Sequence, residues 1–356
     1  QEIPEVDAVV GIGSNAALPA IVRRLCADGA GQIESYGPKS DMQLGGVRVI
    51  STPRHYAYLK IAEGCNNGCY YCAIPLIRGA LRSREINDCV AEARWLAGEG
   101  VRELILVAQD PTAYGEDWGR PGAICELLDR LQEIDGIRWI RILYAYPERI
   151  SDAFIAAMVR NTKVVPYLDL PIQHCDDAVL KAMNRRGGRK EIEDAIARLR
   201  AAIPGITLRT TLIAGFPGET EEQYAELCDF VKTVRFDRLG CFAYSAEENT
   251  VAAKMPNQID EETKQRRADH IMELQAEVSA EREGEKVGHT YECICDGVDD
   301  ETGMYLLRTK ADCPEIDGSV LTPADTPLET GAFYNVTITD ADTYDLYGYA
   351  EEKLED

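Results

Sequence analysis

Three cysteines lie within eight positions in the stretch EGCNNGCYYCAIP, at Cys65, Cys69 and Cys72. Thiolates bind zinc, copper and iron–sulfur clusters, so this spacing indicates a metal site. A closed zinc site needs four ligands, and neither a second cysteine pair nor a histidine pair occurs at a suitable distance. A four-iron cluster held by three thiolates leaves one iron open to a substrate. We therefore predict an open iron–sulfur site, with structural zinc as the alternative.

The elements around these cysteines read as alternating strands and helices. Apolar strand-like runs occur at 56–62, 103–108, 139–144, 167–170, 207–214 and 239–244. Helical patterns occur at 84–99, 122–135, 150–161, 176–203 with a break, 219–235 and 260–286. This alternation predicts parallel βαβ units, which build either an open sheet or a barrel. The cysteines follow the first strand, at the carboxyl edge where such folds place their sites.

Polar residues recur where these predicted strands end, as the lining of a ligand-binding mouth requires. They are Gln109, Asp110, Tyr144, Tyr146, Gln173, His174, 215–220, Tyr244 and Ser245. Each also suits a cap, a turn or a hydrogen-bonded core position. For His174 a structural role is favoured over that of a general base. Arg78, Arg82 and Arg84 either pair with carboxylates or extend into solvent.

The chain changes character after residue 288. Short alternating runs at 291–295, 304–309, 319–321, 334–339 and 346–349 predict a small antiparallel β-barrel. Cys293 and Cys295 share one face of a strand there and are predicted to lie in the core. The single cysteines elsewhere are interpreted as reduced core or helix residues. They are Cys26, Cys89, Cys125, Cys228 and Cys241.

The charge of this 356-residue chain is uneven. Its net charge is −23, and residues 281–356 alone carry −15. An acidic end attracts basic partners and repels phosphate backbones, so nucleic acid is disfavoured as its direct partner. There is no apolar run long enough for a membrane helix and no leader-like segment. We therefore expect a cytoplasmic protein without a membrane partner.

The first 53 residues are predicted to form two segments. Residues 6–25 read as a strand, a glycine turn and a helix. The turn GIGSN lacks the full dinucleotide-binding pattern, so it is given a structural role. Residues 26–53 read as a linker with a short hairpin.

The cysteine motif CxxxCxxC, with Tyr71 before its last cysteine, resembles that of the radical S-adenosylmethionine (SAM) enzymes. KIAEGCNNGCYYCAIPLIRGALRSR, LVAQDPTAYG, LDLPIQH, MNRRGGR and AGFPGET resemble, in that order, the methylthiotransferase family. The resemblance implies an α/β fold: a partial (β/α)6 TIM-like radical SAM barrel followed by a TRAM-like β-barrel. The implied domains are a remnant of an N-terminal domain at 1–25, a linker at 26–53, the radical SAM domain at 54–286 and the TRAM-like domain at 287–353.

The same resemblance implies cofactors and site residues. Cys65, Cys69 and Cys72 would hold a 4Fe-4S cluster whose open iron binds SAM. The SAM pocket would be formed by Gln109, Gln173, Thr211, Gly215 and Tyr244. Ferredoxin or flavodoxin is the kind of low-potential electron donor expected.

Two substrate classes occur in this family. RimO-type members modify the β-carbon of an aspartate in ribosomal protein S12, and MiaB-type members modify an adenosine of transfer RNA. AQDPTAYG and RTKADCPEIDGSV resemble the RimO type, and the acidic end of the chain favours the same choice. The tRNA enzyme remains the alternative, as does an RNA-binding module with a structural metal site.

Members of the family carry a second 4Fe-4S cluster on three cysteines of an N-terminal domain. Only Cys26 precedes Cys65 in this chain, and one thiol cannot hold a cluster. We therefore expect the natural protein to be longer, and this chain to lack the second cluster. It is expected to cleave SAM without completing methylthiolation.

Overall fold

The computed structural model describes residue 3 and residues 5–28, 31–46, 48–51, 53–323 and 327–355. At the N-terminal end, β1 (Ala8–Val10), α1 (Leu18–Asp28) and β2 (Ile33–Ser35) form one βαβ unit. The two strands pair in parallel, with Val9 opposite Glu34. The prediction of a hairpin within 26–53 is therefore wrong for the segment that forms β2, because β2 pairs with β1 instead. A parallel partner needs a crossover, and α1 supplies it.

Six parallel strands form the main sheet, in the order β3-β6-β7-β8-β9-β10, as the alternating pattern predicted. The elements of this region are β3 (Tyr56–Lys60), β4 (Ala62–Glu63), α2 (Ile74–Arg78), β5 (Arg82–Ser83), α3 (Ile86–Gly98), β6 (Glu103–Val107), α4 (Ala123–Gln132), β7 (Trp139–Ile142), α5 (Asp152–Arg160), β8 (Val164–Asp169), α6 (Asp177–Ala182), α7 (Arg189–Ala202), β9 (Thr207–Ala214), α8 (Glu221–Val234), β10 (Arg238–Ala243) and α9 (Glu261–Gly284). Every strand continues in the same direction, so all carboxyl ends meet at one edge.

Successive residues along each strand point to opposite faces of the sheet, and the two faces have different environments. Leu59, Leu106 and Leu212 are fully buried in the large core beneath the helices. The helices contribute an apolar stripe to the same core, as α4 does with Leu127 and Leu131. Ile105, one residue from Leu106, belongs to a different cluster on the other face of the sheet. The sheet therefore has a helix-covered outer face and an inner face available to other groups.

The chain ends in a closed five-stranded barrel, here called the small barrel, in the order β11-β12-β13-β15-β14. Its strands are β11 (Thr290–Val298), β12 (Tyr305–Thr309), β13 (Val320–Thr322), β14 (Phe333–Ala341) and β15 (Leu346–Lys353). The barrel prediction is confirmed, except that β13 and β15 pair in parallel. Five strands cannot alternate in direction all the way round a closed barrel, so one neighbouring pair must be parallel. Cys293 and Cys295 are fully buried in the barrel core, as predicted.

The small barrel packs against the amino ends of the main strands. Trp139 and Tyr167 on the inner face of the sheet share an apolar cluster with Ile294 and Phe333 of the barrel. The Trp139 ring meets the Phe333 ring edge-on at 5.0 Å between centroids. Aromatic burial of this kind joins the two units in one apolar interface.

A buried ion network reinforces the same interface. Glu103, fully buried, accepts hydrogen bonds of 2.8 Å from both Arg141 and Arg308. Arg308 of the small barrel also donates to Asp296 at 2.6 Å. Burial alone would raise the pKa of Glu103, but the Arg308 and Arg141 guanidinium groups outweigh it and hold that pKa below its ordinary value. The carboxylate is thus ionised between two buried cations.

Among the residues that the structure describes, no helix is long and apolar enough to cross a membrane.

Candidate cluster and cofactor site

The three cysteines lie on the loop that follows β3 and β4, at the carboxyl edge of the sheet. The antiparallel pair β4–β5 brings the two ends of this loop together, and the Cys65 N–H donates to the Gly79 carbonyl at 3.1 Å. A tight turn follows, in which the Cys72 N–H donates to the Cys69 carbonyl at 3.1 Å. The three thiols are free and partly buried. The loop therefore presents three reduced sulfur atoms at the edge where a site was predicted.

The thiols are close enough to influence one another. Burial raises the pKa of the Cys65 thiol, and the nearby Cys69 and Cys72 sulfurs add to that rise. Burial likewise raises the pKa of Cys72, with Cys69 again contributing. The Asn67 N–H, 3.4 Å from the Cys65 sulfur, opposes the effect. A bound cationic group would stabilise the thiolates that this environment disfavours.

The donor set fits a cluster better than a single ion. Within the described ranges, no three His, Cys, Asp or Glu side chains converge as ligands of one metal ion do. In a four-iron cluster each cysteine binds a different iron, so its sulfurs need not converge on one point. Three free thiols on one loop satisfy that requirement, whereas a structural zinc site needs four converging ligands.

A polar network anchors the cysteine loop to the end of β6. The Asn67 amide donates to Asp110 at 2.8 Å, and Arg149 donates to both Asn67 (2.7 Å) and Asp110 (2.9 Å). Asp110 is buried, and so is Asn67. Asp110 was predicted to line the mouth, and the structure uses it to hold the loop. Asn67 and Arg149 were missed because only the fold brings residues so far apart in sequence together.

A second anchor comes from the segment after α6. The Tyr70 N–H donates to the Met183 carbonyl at 3.0 Å, and the Asn184 amide donates to the Gly68 carbonyl at 2.8 Å. Asn184 has a φ of 59°, a left-handed conformation that asparagine tolerates better than most residues. The loop is therefore held on both sides by contacts within the chain itself, as a preorganised site requires.

Four of the five predicted pocket residues follow the carboxyl ends of strands, and Thr211 lies within β9. Gln173 extends β8 by pairing with β9, since its N–H donates to the Thr211 carbonyl at 2.9 Å. Gln173 has a φ of 71°, the kind of backbone strain that often accompanies binding sites. Tyr244 follows β10 and donates its N–H to the Ala214 carbonyl at 2.9 Å, beside Gly215. The backbone thus brings Gln173 next to Thr211, and Tyr244 next to Gly215.

Two of these side chains carry buried polar atoms without a partner in the described structure. They are the Gln109 Oε1 and the Tyr244 hydroxyl. Buried polar groups are normally hydrogen-bonded, so such orphaned atoms call for a ligand or a water molecule. SAM carries amino, carboxylate, hydroxyl and adenine groups able to pair with them. The residues therefore fit the cofactor, and their assignment as its pocket stays a prediction.

The other strand-end residues have varied surroundings. Tyr144 is partly exposed, with a φ of 65° and an N–H that donates to Asp169 at 3.2 Å. The Tyr146 hydroxyl lies 2.8 Å from the Cys69 sulfur. Ser245 is exposed and donates to Glu247 at 3.0 Å. Of these, Tyr146 is in direct contact with a predicted ligand.

The three arginines after the cysteine loop contact neighbouring chain segments. Arg84 is buried and lies 2.7 Å from Glu92, and Arg78 lies 3.5 Å from Glu63. Arg82 donates to the backbone carbonyls of residues 40 and 42. Carboxylate pairing is thus confirmed for Arg78 and Arg84, and Arg82 ties the segment before β3 to the loop.

Comparison with known proteins gives the family. The sequence pattern of the radical SAM superfamily matches residues 59–231, and that of the TRAM domain matches residues 287–350. Ribosomal protein uS12 methylthiotransferase RimO of Thermoanaerobacter sp. is 43% identical over 349 residues, covering 98% of this chain and 79% of that protein. The chain belongs to the RimO family.

Another RimO relative, from Clostridioides difficile, is 44% identical over 351 residues, covering 98% of this chain and 78% of that protein. Among solved structures, coproporphyrinogen III oxidase (HemN) from Escherichia coli is 18% identical, with a TM-score of 0.48 over 62% of this chain and 52% of that one. Membership of the radical SAM superfamily implies a 4Fe-4S cluster and SAM as cofactors. The cysteine loop of this RimO-family chain lies within the matched region.

His174 in this RimO-family chain has the environment of a structural residue. It is fully buried, and its Nδ1 accepts a hydrogen bond of 3.0 Å from the Asp176 N–H. Because Nδ1 is an acceptor, the proton of the neutral ring sits on Nε2, 3.7 Å from Glu219 Oε2. Burial lowers the pKa of His174 to about 4. The ring is thus neutral near pH 7, with no free nitrogen lone pair for general-base work.

Replacing His174 with asparagine is expected to flatten the acid side of the stability curve. The folded-state pKa of about 4 lies below the ordinary value of 6.5, so the unfolded chain takes up the proton first. The wild type should therefore lose about 1.4 kcal/mol per pH unit, or about 3 kcal/mol in all, between those values. Urea unfolding at about pH 7 and pH 4.5 measures this difference. The exposed His289→Asn variant should keep the wild-type dependence, and an equally steep curve for His174→Asn would contradict the assignment.

A glycine is required at position 215, in the AGFPGET motif, because of its backbone conformation and because a side chain has no room there. Its φ is 75°, and a Cβ there would lie 2.5 Å from Lys264 Cγ and 3.1 Å from Lys264 Cα on α9. Its N–H donates to the Glu219 carboxylate at 2.9 Å, and Arg267 donates to the same carboxylate at 2.8 Å. The turn after β9 therefore packs directly on α9.

Gly215→Ala is expected to cost about 1–2 kcal/mol for the left-handed backbone and about 1–3 kcal/mol more for the collision. Gly218→Ala is the matched control, because Gly218 has a φ of 85° but no atom within 4 Å of the added Cβ. It should show only the backbone cost. Denaturant unfolding compares the two, and equal losses would show that contact with α9 does not matter.

Proposed function

We propose that this chain performs the radical SAM chemistry of a methylthiotransferase directed at an aspartate of small-subunit ribosomal protein S12. The observation that carries the proposal is the three-thiol loop, anchored on both sides at the carboxyl edge of a six-stranded parallel sheet. RimO relatives named for this activity align with 98% of the chain. Cys65, Cys69 and Cys72 are the proposed cluster ligands.

When bound, the cluster and SAM supply one-electron cleavage of a sulfonium bond and hydrogen abstraction from an unactivated carbon. The chain supplies binding and orientation. Asn67 and Asp110 fix the loop, and the Tyr146 hydroxyl, 2.8 Å from the Cys69 sulfur, would donate to that sulfur once Cys69 is a cluster ligand. Gln109 and Tyr244 offer buried polar atoms to the polar groups of SAM. A low-potential donor such as ferredoxin or flavodoxin is the proposed source of the electron.

The distribution of acidic residues supports a basic protein as substrate. In the small barrel, Asp296 and Asp312 are neutralised by arginines at the interface. Other acidic groups, such as Asp342, Glu351 and Glu352, are exposed on its outer surface. With a net charge of −15 over residues 281–356, that surface attracts a basic ribosomal protein and repels a tRNA backbone. Binding of this kind should weaken as salt rises.

We propose one cluster on this chain, because Cys26 is the only cysteine before Cys65. Reconstituted chain should then contain about four irons. It should cleave SAM but should not by itself complete methylthiolation. Methylthio transfer by the chain alone, or about eight irons per chain, would contradict this part of the proposal.

Isotope transfer tests the substrate directly. The chain is reconstituted without oxygen, reduced, and given SAM with S12 that carries deuterium on its aspartate β-carbons. Deuterium should appear in the 5′-deoxyadenosine produced, as measured by mass spectrometry. Unlabelled S12 and S12 labelled only on leucine are the controls. Transfer from adenosine-labelled tRNA, with none from S12, would instead support the MiaB-type alternative.

A further inference from the structure

Arg185 is a buried cation without an ion pair. The residue is 7% exposed, and no carboxylate of the described residues lies within ion-pair distance, although Glu148 is near enough to act on its charge. One guanidinium nitrogen donates to the Pro171 carbonyl at 2.9 Å, and Nε has no partner in the described structure. Other buried arginines, such as Arg141 and Arg238, have carboxylates against them. An unpaired charge is costly to bury, so this one calls for a compensating negative group.

The charge of Arg185 is linked to the cysteine loop through two tyrosine side chains, Tyr71 and Tyr146. Its guanidinium carbon lies 3.8 Å from the centre of the Tyr146 ring, and the Tyr146 hydroxyl lies 2.8 Å from the Cys69 sulfur. A cysteine bound to metal is a thiolate without a proton, so the hydroxyl must be the donor. A cation on the ring face draws electron density from the phenol and strengthens that donation. Arg185 and Tyr146 thus act on Cys69 in series.

We propose that Arg185, acting through Tyr146, raises the reduction potential of the cluster held at Cys69. The inference rests on the proposed function, in which Cys69 is a cluster ligand. Reduction adds one electron from the external donor and breaks no bond, so the cluster gains one negative charge. A fixed positive charge and a hydrogen bond to a ligand sulfur both stabilise that reduced state. Arg185 touches no reacting atom and is therefore a positioning residue.

A purely structural role is the competing explanation. Arg185 follows Met183 and Asn184, which hold the cysteine loop through Tyr70 and Gly68. Loss of Arg185 could loosen this segment and lower the amount of cluster bound. Such loosening would lower the iron content of the chain. The reduction potential of the cluster that remains bound instead depends on the positive charge of Arg185. Lysine at position 185 keeps the charge and loses the planar stacking, and glutamine removes the charge.

The test is a redox titration of the reconstituted chain without substrate, followed by electron paramagnetic resonance. The variants are Arg185→Gln, Arg185→Lys and Tyr146→Phe, with Arg186→Gln at the exposed neighbour as the matched control. Arg185→Gln and Tyr146→Phe should lower the ratio of reduced to oxidised cluster about tenfold at a fixed potential, or about 59 mV. Arg185→Lys should retain most of the wild-type potential, and Arg186→Gln all of it. The double variant should fall no further than the larger single effect.

Each result decides between the explanations. An iron-loaded Arg185→Gln chain with the wild-type potential would overturn the inference, as would an Arg185→Lys potential as low as that of Arg185→Gln. If Arg185→Gln does not fold, Tyr146→Phe decides, because an unmoved potential there removes the proposed path. Wild-type chain that binds no iron would overturn the proposed function itself. Iron-loaded chains with equal potentials would overturn this inference alone.

Discussion

Cys69→Ala is expected to bring the iron content of the reconstituted chain close to zero and to lower SAM cleavage by at least about a thousandfold. That factor corresponds to about 4 kcal/mol of lost transition-state stabilisation. Two thiols on the loop cannot hold a four-iron cluster, and without it the bound SAM receives no electron. Iron and sulfide analysis and the rate of 5′-deoxyadenosine formation measure the effect. Cys65→Ala and Cys72→Ala should behave alike.

Cys26→Ala is the control for this prediction. Cys26 is a free, exposed cysteine on α1 and takes no part in the loop. Its replacement should leave both iron and cleavage at wild-type levels. A Cys69→Ala chain that keeps full iron would show that the cluster is held elsewhere. Zinc at one per chain, with no iron or sulfide in the wild type, would favour the structural alternative.

Glu103→Ala is expected to lower the free energy of unfolding by about 3–5 kcal/mol, the range for breaking a buried ion pair from one side. Arg141 would then stay buried without its carboxylate, and Arg308 would keep only Asp296. The pKa of Glu103 is held below its ordinary value, burial being outweighed by the two arginines. Its contribution is therefore present near pH 7 and is lost as the pH falls below about 4. Urea unfolding of the wild type and of Glu103→Ala, near pH 7 and below about pH 4, measures this contribution to the free energy of unfolding.

The matched control for Glu103 is an exposed ion pair. Arg160 and Asp129 lie 2.7 Å apart with nearly half of each side chain in solvent. Arg160→Ala should cost less than about 1 kcal/mol, because water screens such pairs. If Glu103→Ala were as mild as Arg160→Ala, the interface network would contribute nothing to stability.

Local sequence patterns predicted the helices and strands of this fold, because the spacing of apolar residues in each segment reflects which side of that segment is buried. The six parallel strands, the small barrel and the buried positions of Cys293 and Cys295 follow from apolar alternation and turn residues. The position of the cysteine loop follows from its place after β3. These features depend on neighbours in sequence, so one sequence is enough to find them.

The contacts between distant segments were beyond prediction. Asn67 meets Arg149 and Tyr146 meets Cys69 only after several βα units have folded. The parallel pairing of β1 with β2, and that of β13 with β15, also depend on chain paths rather than composition. Arg185 had one visible signal, its place in MNRRGGR shortly after α6, but nothing in that pattern shows burial.

If the substrate binds the small barrel as proposed, the position of that barrel at the amino ends of the strands sets a minimum length for a peptide substrate. Barrel residue Glu315 contacts Tyr56, where β3 begins, and Cys65 lies beyond the carboxyl end of that strand. The two positions are therefore separated by at least about the length of the five-residue strand β3, roughly 13–17 Å. An extended peptide covers that distance with about five residues. Shorter fragments of such a substrate would then reach the small barrel or the cysteines, but not both at once.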